Sequence, residues 1–374
     1  MRHSPGVVPE LTAADALALR MRSLLLSDPG AAAADVAGVV TWFGAMQAQD
    51  LASAMWSLGA RLPGTTVRDV QDALERREAL RTWPMRGTVH LVPPRDARWM
   101  LDVMGVRALA GARARRDVVG LDEETADRAV DVLGAALAGG GRLTRAQCLE
   151  ALADAGITGA GQFGYHLLWY ASQRGVTCIA PNIGTEQTFV LLDEWAPDQH
   201  RPGREEALAT IAQRYFRSHG PTTRQDFAGW TGLTAADAKL GIAAAGDALA
   251  TVRVDGRDMH LDPALLDAPI APAPDDLLAL PGFDEYLLGF KDRSLMLADE
   301  HKQAIIPGSN GVFQPTIVRG GRVVGTWKRS VARGHTVVDV RPLVTLTAAD
   351  RGRVEAALEP YGRYTTRPLQ VRWP

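Results

Sequence analysis

The stretch that decides the fold spans residues 67–92 and reads VRDVQDALERREALRTWPMRGTVHLV. Its first half places apolar residues at helical spacing, and a threonine at position 65 or 66 is suited to cap that helix. Its second half, from Leu80 onward, instead predicts two short strands joined at Arg86-Gly87. A helix followed directly by a short hairpin is typical of a winged-helix unit, and we interpret this stretch as one.

The same order, helices followed by a hairpin, occurs through the rest of the N-terminal two thirds of the chain. Upstream, apolar residues at helical spacing predict helices over residues 11–29, with Thr12 as the cap, and over residues 33–43. Two copies of this order follow downstream. The first has predicted helices over 123–137, 145–154 and 164–174 and strands over 176–180 and 188–192. The second has predicted helices that start at 204, 224 and 235 and strands over 249–254 and 259–261. The copies differ in sequence, so the pattern indicates repeated units and not a short-period solenoid.

Beyond a Pro/Ala linker at residues 268–275, APIAPAPD, the apolar periodicity changes to two. Arg319-Gly320-Gly321 is flanked by two alternating runs and therefore predicts a hairpin. The predicted elements of this part are strands over 312–318, 322–327, 336–340 and 369–372 and one helix over 348–358. They indicate a small α+β domain that is sheet-rich and barrel-like.

The chain has 374 residues, which is too many for one hydrophobic core. We predict a mainly α protein with an α+β C-terminal part: three tandem winged-helix units followed by the small sheet-rich domain. The predicted boundaries are residues 1–120, 121–200 and 201–268 for the three units and residues 275–374 for the C-terminal domain.

The composition is that of an ordinary globular protein, with 46% hydrophobic and 22% charged residues, which disfavours disordered and membrane classes. No apolar run reaches the roughly 18 residues of a membrane span, and the N-terminus does not resemble a signal peptide. Cys148 and Cys178 lack metal-ligand spacing and fit buried thiols in a reducing compartment. We therefore expect a cytoplasmic, nucleoid-associated monomer with no membrane and no obligate protein partner.

The net charge is −2, but the positive charge is concentrated in two blocks. Residues 76–116 hold ten arginines against three acidic residues, and residues 291–333 hold eight Lys/Arg against three. Such blocks indicate a surface that faces a polyanion, although solvated helix faces explain them equally well. The candidate DNA contacts are Arg107, Arg113, Arg115 and Arg116 along a helix, Arg86 in the first hairpin, and Lys328 and Arg329 from a turn after the C-terminal hairpin.

The sequence contains no P-loop, dinucleotide fingerprint, zinc pattern or nucleophile elbow, so we expect no cofactor and no metal. What remains is the polar segment Gln47-Ala48-Gln49-Asp50 between two apolar runs. In an extended or turn backbone, Gln47 and Gln49 point to the same side. Taken alone, the spacing of this segment is better explained by a helix cap or a loop than by a catalytic site.

Several separated motifs together resemble the AlkZ/YcaQ family of bacterial DNA glycosylases, and the resemblance covers essentially the full chain. The motifs are Met46–Asp50, Arg81–Leu91, Leu280–Tyr286 and Asn310–Pro315. The resemblance implies a monofunctional glycosylase on a tandem winged-helix scaffold. Its implied partner is double-stranded DNA with N7-alkylated purines, and its substrates extend to bulky adducts and interstrand crosslinks.

The same resemblance implies that Gln47 and Gln49 are the catalytic residues. Two glutamines around an apolar residue match the AlkZ branch, which is linked to self-resistance against DNA-alkylating natural products. An aspartate in the second place marks the YcaQ branch, and Asp50 lies one position too late for it, so we expect Asp50 to be supporting or structural. His90 occupies a family position, and we expect it to be a supporting residue.

The chemistry of base release explains why the amide side chains of two glutamines can act as catalytic groups. A guanine alkylated at N7 already carries a positive charge, so its departure needs little protonation, and the protein must mainly place a water against C1′.

Two other functions compete with this one. A non-catalytic winged-helix transcription regulator also explains the scaffold. A hydrolase acting through Asp284 and Glu285 is disfavoured, since adjacent carboxylates on a strand point to opposite faces.

Overall fold

The computed structural model describes residues 8–30, 32–267, 269–271 and 275–374, without the side chains of Ala112 and Arg115. Positions 268 and 272–274 of the predicted linker therefore lie outside the described residues. The chain forms two compact units, of which the first combines Met1–Val70 with Leu208–Pro374 and the second is Gln71–Ala207.

Helices and strands alternate along most of the chain. The helices are α1 Ala13–Ser23, α2 Val36–Phe43, α3 Leu51–Gly59, α4 Val67–Glu75, α5 Ala97–Met100, α6 Val106–Val119, α7 Glu123–Leu137, α8 Arg145–Asp154, α9 Phe163–Gln173, α10 Leu192–Trp195, α11 Arg204–His219, α12 Arg224–Thr231, α13 Ala235–Ala245, α14 Glu285–Leu288, α15 Lys302–Ile305 and α16 Ala348–Thr365. The strands are β1 Glu10–Leu11, β2 Met46–Gln47, β3 Leu80–Met85, β4 Thr88–Val92, β5 Leu143–Thr144, β6 Thr177–Ile183, β7 Glu186–Leu191, β8 Ala250–Val254, β9 Arg257–Leu261, β10 Leu277–Leu280, β11 Thr316–Arg319, β12 Arg322–Ala332, β13 His335–Pro342 and β14 Leu369–Arg372.

Local capping chemistry sets where several helices begin, as the sequence predicts. Thr12 caps α1 and exchanges hydrogen bonds with Asp15, and Thr144 does the same with Gln147 at the start of α8. Each pair satisfies backbone N–H groups that the first turn of a helix leaves without partners. Thr234 caps α13 in the same way, because its side chain accepts from the backbone N–H three residues on.

In the unit Gln71–Ala207, the strands follow the order β4-β3-β6-β7-β5. The predicted hairpin of β3 and β4 is confirmed, and its two turn residues have positive φ, 55° at Arg86 and 70° at Gly87. A two-residue hairpin of this kind needs positive φ at both positions, which suits Gly87 and leaves Arg86 in a conformation that costs a non-glycine residue about 1 kcal/mol.

The other unit contains a five-stranded sheet in the order β10-β11-β12-β13-β14, antiparallel except for the parallel pair β13–β14. An aromatic cluster joins α3, α16 and β12. The Trp56 ring lies 5.1 Å from that of Tyr361, which lies 5.1 Å from that of Trp327. This packing fixes α3, the helix that directly follows the Gln47–Asp50 segment.

The protein is thus a mixed α/β chain, and most predicted elements are present with shifted ends. α1 ends at Ser23 instead of near Pro29, and α16 runs on through Pro360 to Thr365. β12 extends to Ala332 because it pairs with β13 along its whole second half. The three winged-helix units, the barrel-like domain and their boundaries remain predictions.

Among the described residues, no helix combines the length and the apolar character that crossing a membrane requires.

Candidate active site

Gln47 is the last residue of β2, and its backbone is hydrogen-bonded to a buried carboxylate. Its backbone N–H donates to Oε1 of Glu285 at 3.1 Å, although 238 positions separate the two residues in sequence. The side chain of Gln47 is half-buried, and its Oε1 is a buried atom that accepts no hydrogen bond from the described residues. An acceptor left in this state costs about 1–3 kcal/mol unless water or a ligand reaches it.

Glu285 is 1% exposed and takes part in a polar network inside the core. Its Oε2 accepts from Nε1 of Trp230 at 2.9 Å and lies 3.3 Å from Nε2 of His219. Burial alone would raise the pKa of Glu285, but the hydrogen bonds from His219, Gln47 and Trp230 outweigh it, and the pKa lies below its ordinary value. The carboxylate is therefore ionised and serves as an acceptor.

Asp284 faces a different set of partners. Its carboxylate forms a two-pronged ion pair with Arg61 at 2.8 and 2.9 Å and accepts from Oγ of Ser57 at 2.6 Å. Burial opposes ionisation, but the charge and hydrogen bonds of Arg61 dominate, so the pKa of Asp284 is lowered. The residue begins the short helix α14 and caps it, so the expectation of two carboxylates on a strand is wrong. The carboxylates of Asp284 and Glu285 are both buried, and each binds its own set of partners, so the two do not form a catalytic pair.

The other residues of the motif differ from Gln47. Gln49 is exposed, and Ala48 between them is 2% exposed. Asp50 is the cap of α3, because its carboxylate accepts from the backbone N–H of Ala52 at 3.2 Å and from Oγ of Ser53 at 2.7 Å. Asp50 thus has a structural part, which is to start the helix behind the two glutamines.

In the unit Gln71–Ala207, Arg86 and His90 lie together. The guanidinium of Arg86 donates to Nε2 of His90 at 3.3 Å, and Nδ1 of His90 lies 2.9 Å from the carbonyl oxygen of Thr88. Arginine can only donate, so Nε2 is the acceptor and Nδ1 carries the proton. His90 is fully buried and therefore shielded from solvent. Because its Nε2 accepts from Arg86, it orients that guanidinium.

The arginines predicted to follow α6 have different environments. Arg107 is exposed and, with Arg86, lines a cavity of about 440 Å³ beside Tyr165 and Trp169. Arg113 is exposed, and the side chain of Arg115 lies outside the described residues.

Arg116 is only 6% exposed. Its guanidinium lies 5.3 Å from the centre of the Tyr170 ring and 3.6 Å from Glu123. That charge is engaged inside the unit, so we assign Arg116 a packing role and leave it out of the DNA surface proposed below.

Lys328 and Arg329 lie within β12, opposite Asp339 and Val338 of β13, so their predicted placement in a turn is wrong. The strand continues because the antiparallel partner supplies hydrogen bonds beyond Trp327. Lys328 is exposed, whereas Arg329 is half-buried and donates to the hydroxyl of Tyr361 at 3.2 Å.

The sequence did not indicate Glu285, His219 or Trp230 as parts of one network. Their separation from Gln47 in the sequence has no period that a pattern can reveal, and the motif Leu280–Tyr286, which contains Glu285, gives no sign of the contact with Gln47. Within the described ranges, no cluster of three or more His, Cys, Asp or Glu side chains is arranged to hold a metal ion.

Comparison with known proteins extends over nearly the whole chain. Residues 40–364 match the family model described as DNA glycosylase AlkZ-like. An interstrand DNA cross-link repair glycosylase of Streptomyces sahachiroi is 33% identical over 269 residues, which are 67% of this chain and 70% of that protein. The solved structure of the Streptomyces sahachiroi DNA glycosylase AlkZ superposes with a TM-score of 0.78 at 26% identity and covers 98% of this chain and 100% of its own.

Proposed function

The chain belongs to the AlkZ-like DNA glycosylase family, and from that premise we propose that it hydrolyses the N-glycosidic bond of N7-alkylated purines in double-stranded DNA. We extend the proposal to bulky adducts and interstrand crosslinks, since the relative from Streptomyces sahachiroi is named a cross-link repair glycosylase. The reaction would serve DNA repair, or self-resistance to alkylating natural products, at the nucleoid.

The observation that carries the proposal is the state of Gln47. Its main chain is anchored to Glu285 at 3.1 Å, while its buried Oε1 accepts no hydrogen bond from the described residues. The half-buried side chain keeps this amide oxygen away from bulk solvent with an unused lone pair, so a single water admitted to it would be held in place by that hydrogen bond. Gln49, two residues on and exposed, supplies a second amide on the solvent side.

The proposed chemistry needs little acid or base. The C1′–N9 bond breaks and its electron pair moves to the cationic base, which leaves as a neutral molecule. Water then adds to the oxocarbenium-like C1′, and its proton passes to solvent because an amide oxygen is too weakly basic to keep it. The segment Gln47–Asp50 offers no amine to form a covalent intermediate, so we propose a monofunctional enzyme.

We propose that exposed cations hold the DNA backbone on each unit. These are Arg107 and Arg113 in the unit Gln71–Ala207 and Lys328 in the other, and the half-buried Arg86 adds a further contact in the first of these units. Arg86 is kept at φ 55° and is oriented by His90, which is the kind of constraint found at functional positions.

Base release from a duplex that carries N7-methylguanine tests the proposal. The wild type should leave abasic sites, and Gln47→Ala/Gln49→Ala should reduce the rate at least about 100-fold with unchanged DNA affinity, since the loss of a correctly positioned reactant costs on that scale. Gln213→Ala, an exposed glutamine of the same unit, is the matched control and should retain the wild-type rate. If the wild type releases no base from this or a bulkier N7 adduct, the catalytic proposal is wrong and a DNA-binding regulator explains the chain better.

A further inference from the structure

A second concave surface lies away from the Gln47 segment, in the part of the chain from residue 223 to residue 292. It is a cavity of about 860 Å³ formed by the start of α12, by α13, by β9 and by the loop after α14. Its charged lining residues are Arg224, Asp226, Lys239, Arg257, Asp258, Lys291 and Asp292. Neither predicted basic block includes Arg224 or Lys239.

Each carboxylate of this cavity already has partners of its own. Asp226 is 1% exposed, and its Oδ1 accepts the backbone N–H groups of Lys291 and Asp292, both at 2.9 Å. Asp292 pairs with Arg257 at 2.7 Å. Asp258 pairs with Arg253, outside the cavity, at 3.0 Å.

Three cations remain once these pairs are set aside. Arg224, Lys239 and Lys291 are exposed, and in the described part of the chain no ion pair involves any of them. They stand on α12, α13 and the loop after α14, respectively. Their convergence therefore depends on the tertiary fold, and on Asp226, which fastens that loop to the start of α12.

The elements around the cavity follow one another in the order of a DNA-binding motif. Only residues 232–234 separate α12 from α13, and Gly232 at φ 75° makes the turn. A short turn that contains glycine is typical of a helix-turn-helix, in which the second helix meets the DNA. The hairpin β8–β9 follows, and its Arg257 reaches the same cavity.

We propose that this cavity binds phosphodiester groups of duplex DNA through Arg224, Lys239 and Lys291, as a contact surface separate from the Gln47 segment. The proposal rests on the proposed function in that it takes DNA as the substrate. Phosphate is the matching ligand because the exposed charges of the lining that form no ion pair are all positive, and because the cavity is open to a chain. His260 at its margin stays neutral near pH 7, since burial lowers its pKa.

The test is the salt dependence of binding to an undamaged duplex, measured with the full-length protein. Each phosphate contact contributes about 0.9 to the slope of log K against log salt, so Lys239→Gln/Lys291→Gln should reduce the slope by about 1.8 and the affinity at 0.15 M salt by about 30-fold. Arg22→Ala/Arg372→Ala removes the same charge from exposed positions of the same unit outside the cavity and should change neither. Glutamine keeps most of the lysine stem, and unchanged melting midpoints check the fold.

An unchanged slope in the cavity variant, or an equal loss in the control variant, would overturn the proposal. A second pair of results would also overturn it: millimolar inorganic phosphate raises the melting midpoint of the wild type, and the cavity variant keeps the full salt slope of DNA binding. The cavity would then bind a small anion and not DNA. Binding to undamaged duplex needs no base release. A failure of the glycosylase proposal is therefore seen separately, in the assay with N7-methylguanine.

Discussion

At the scale of single residues, the candidate site depends on close contacts between distant parts of the sequence. Glu285 accepts from Gln47, Trp230 and His219, and the aromatic ring of Tyr215 stacks on His219 with centroids 4.5 Å apart. A Cβ on Gly289 would lie 2.2 Å from Cδ2 of His219, so only glycine admits this arrangement. The position of the Gln47 backbone is therefore a property of the buried network.

This arrangement predicts different consequences for two adjacent carboxylates. Glu285→Gln should lower the single-turnover rate of base release at least about 10-fold with unchanged DNA affinity, since small displacements of a positioning group are costly. Asp284→Asn removes the same charge from the same core but does not contact Gln47, so its folded fraction should keep the wild-type rate within about twofold.

Both variants should lower the melting midpoint, because each disturbs a buried ionised group. The informative quantity is therefore the rate per folded molecule. Equal rates in the two variants would show that Glu285 acts through stability alone.

At the scale of elements, α16 shows how packing overrides a local breaker. Pro360 has no N–H and should end the helix near Leu358, at a cost of about 3 kcal/mol for continuing. The helix continues to Thr365 because Tyr361 and Tyr364 are buried in the aromatic cluster, and the hydroxyl of Tyr364 donates to the carbonyl of Met55 at 3.0 Å.

Two glycines of α16 provide a matched pair for this helix. A Cβ on Gly352 meets no atom within 4 Å, so Gly352→Ala should stabilise by about 0.5–1 kcal/mol through helix propensity. A Cβ on Gly362 would lie 2.9 Å from Cγ of Leu369, so Gly362→Ala should destabilise by about 1–3 kcal/mol. Urea midpoints should therefore shift in opposite directions, and a shift of both in the same direction would contradict this packing.

At the scale of the whole molecule, one unit is built from two segments that are far apart in sequence. The ion pair of Arg61 with Asp284 and the contact of Trp56 with Tyr364 both join Met1–Val70 to Leu208–Pro374. Asp284 is 5% exposed, so without Arg61 it would be a buried charge lacking its main partner, at a cost of about 3–5 kcal/mol.

The division of the chain predicts how fragments fold. Residues 71–207 expressed alone should show a cooperative thermal transition by circular dichroism, because that unit is continuous. Residues 208–374 alone should show none, since they lack Arg61, Trp56 and the Gln47 segment. A cooperative transition in the second fragment would mean that the contacts with residues 1–70 do not hold that unit together.

The elements that the sequence predicted well are those whose causes lie within a few residues. The cap at Thr12 and the turn at Arg86-Gly87 are local, and the structure has them as predicted. The polar segment Gln47–Asp50 could also be singled out locally, by its motif, and its catalytic role stays a prediction.

The sequence by itself therefore determined the order of helices and hairpins, because hydrogen bonds between near neighbours specify caps and tight turns. The tertiary structure alone decided which charges are free. It buries Arg116 against Tyr170, places Lys328 within a strand, and leaves Lys239 exposed in a cavity whose carboxylates are engaged by other groups. It also brought Glu285 to Gln47. Burial and pairing depend on residues that can be as far apart in the sequence as Gln47 and Glu285, which 238 positions separate, and no local pattern encodes them.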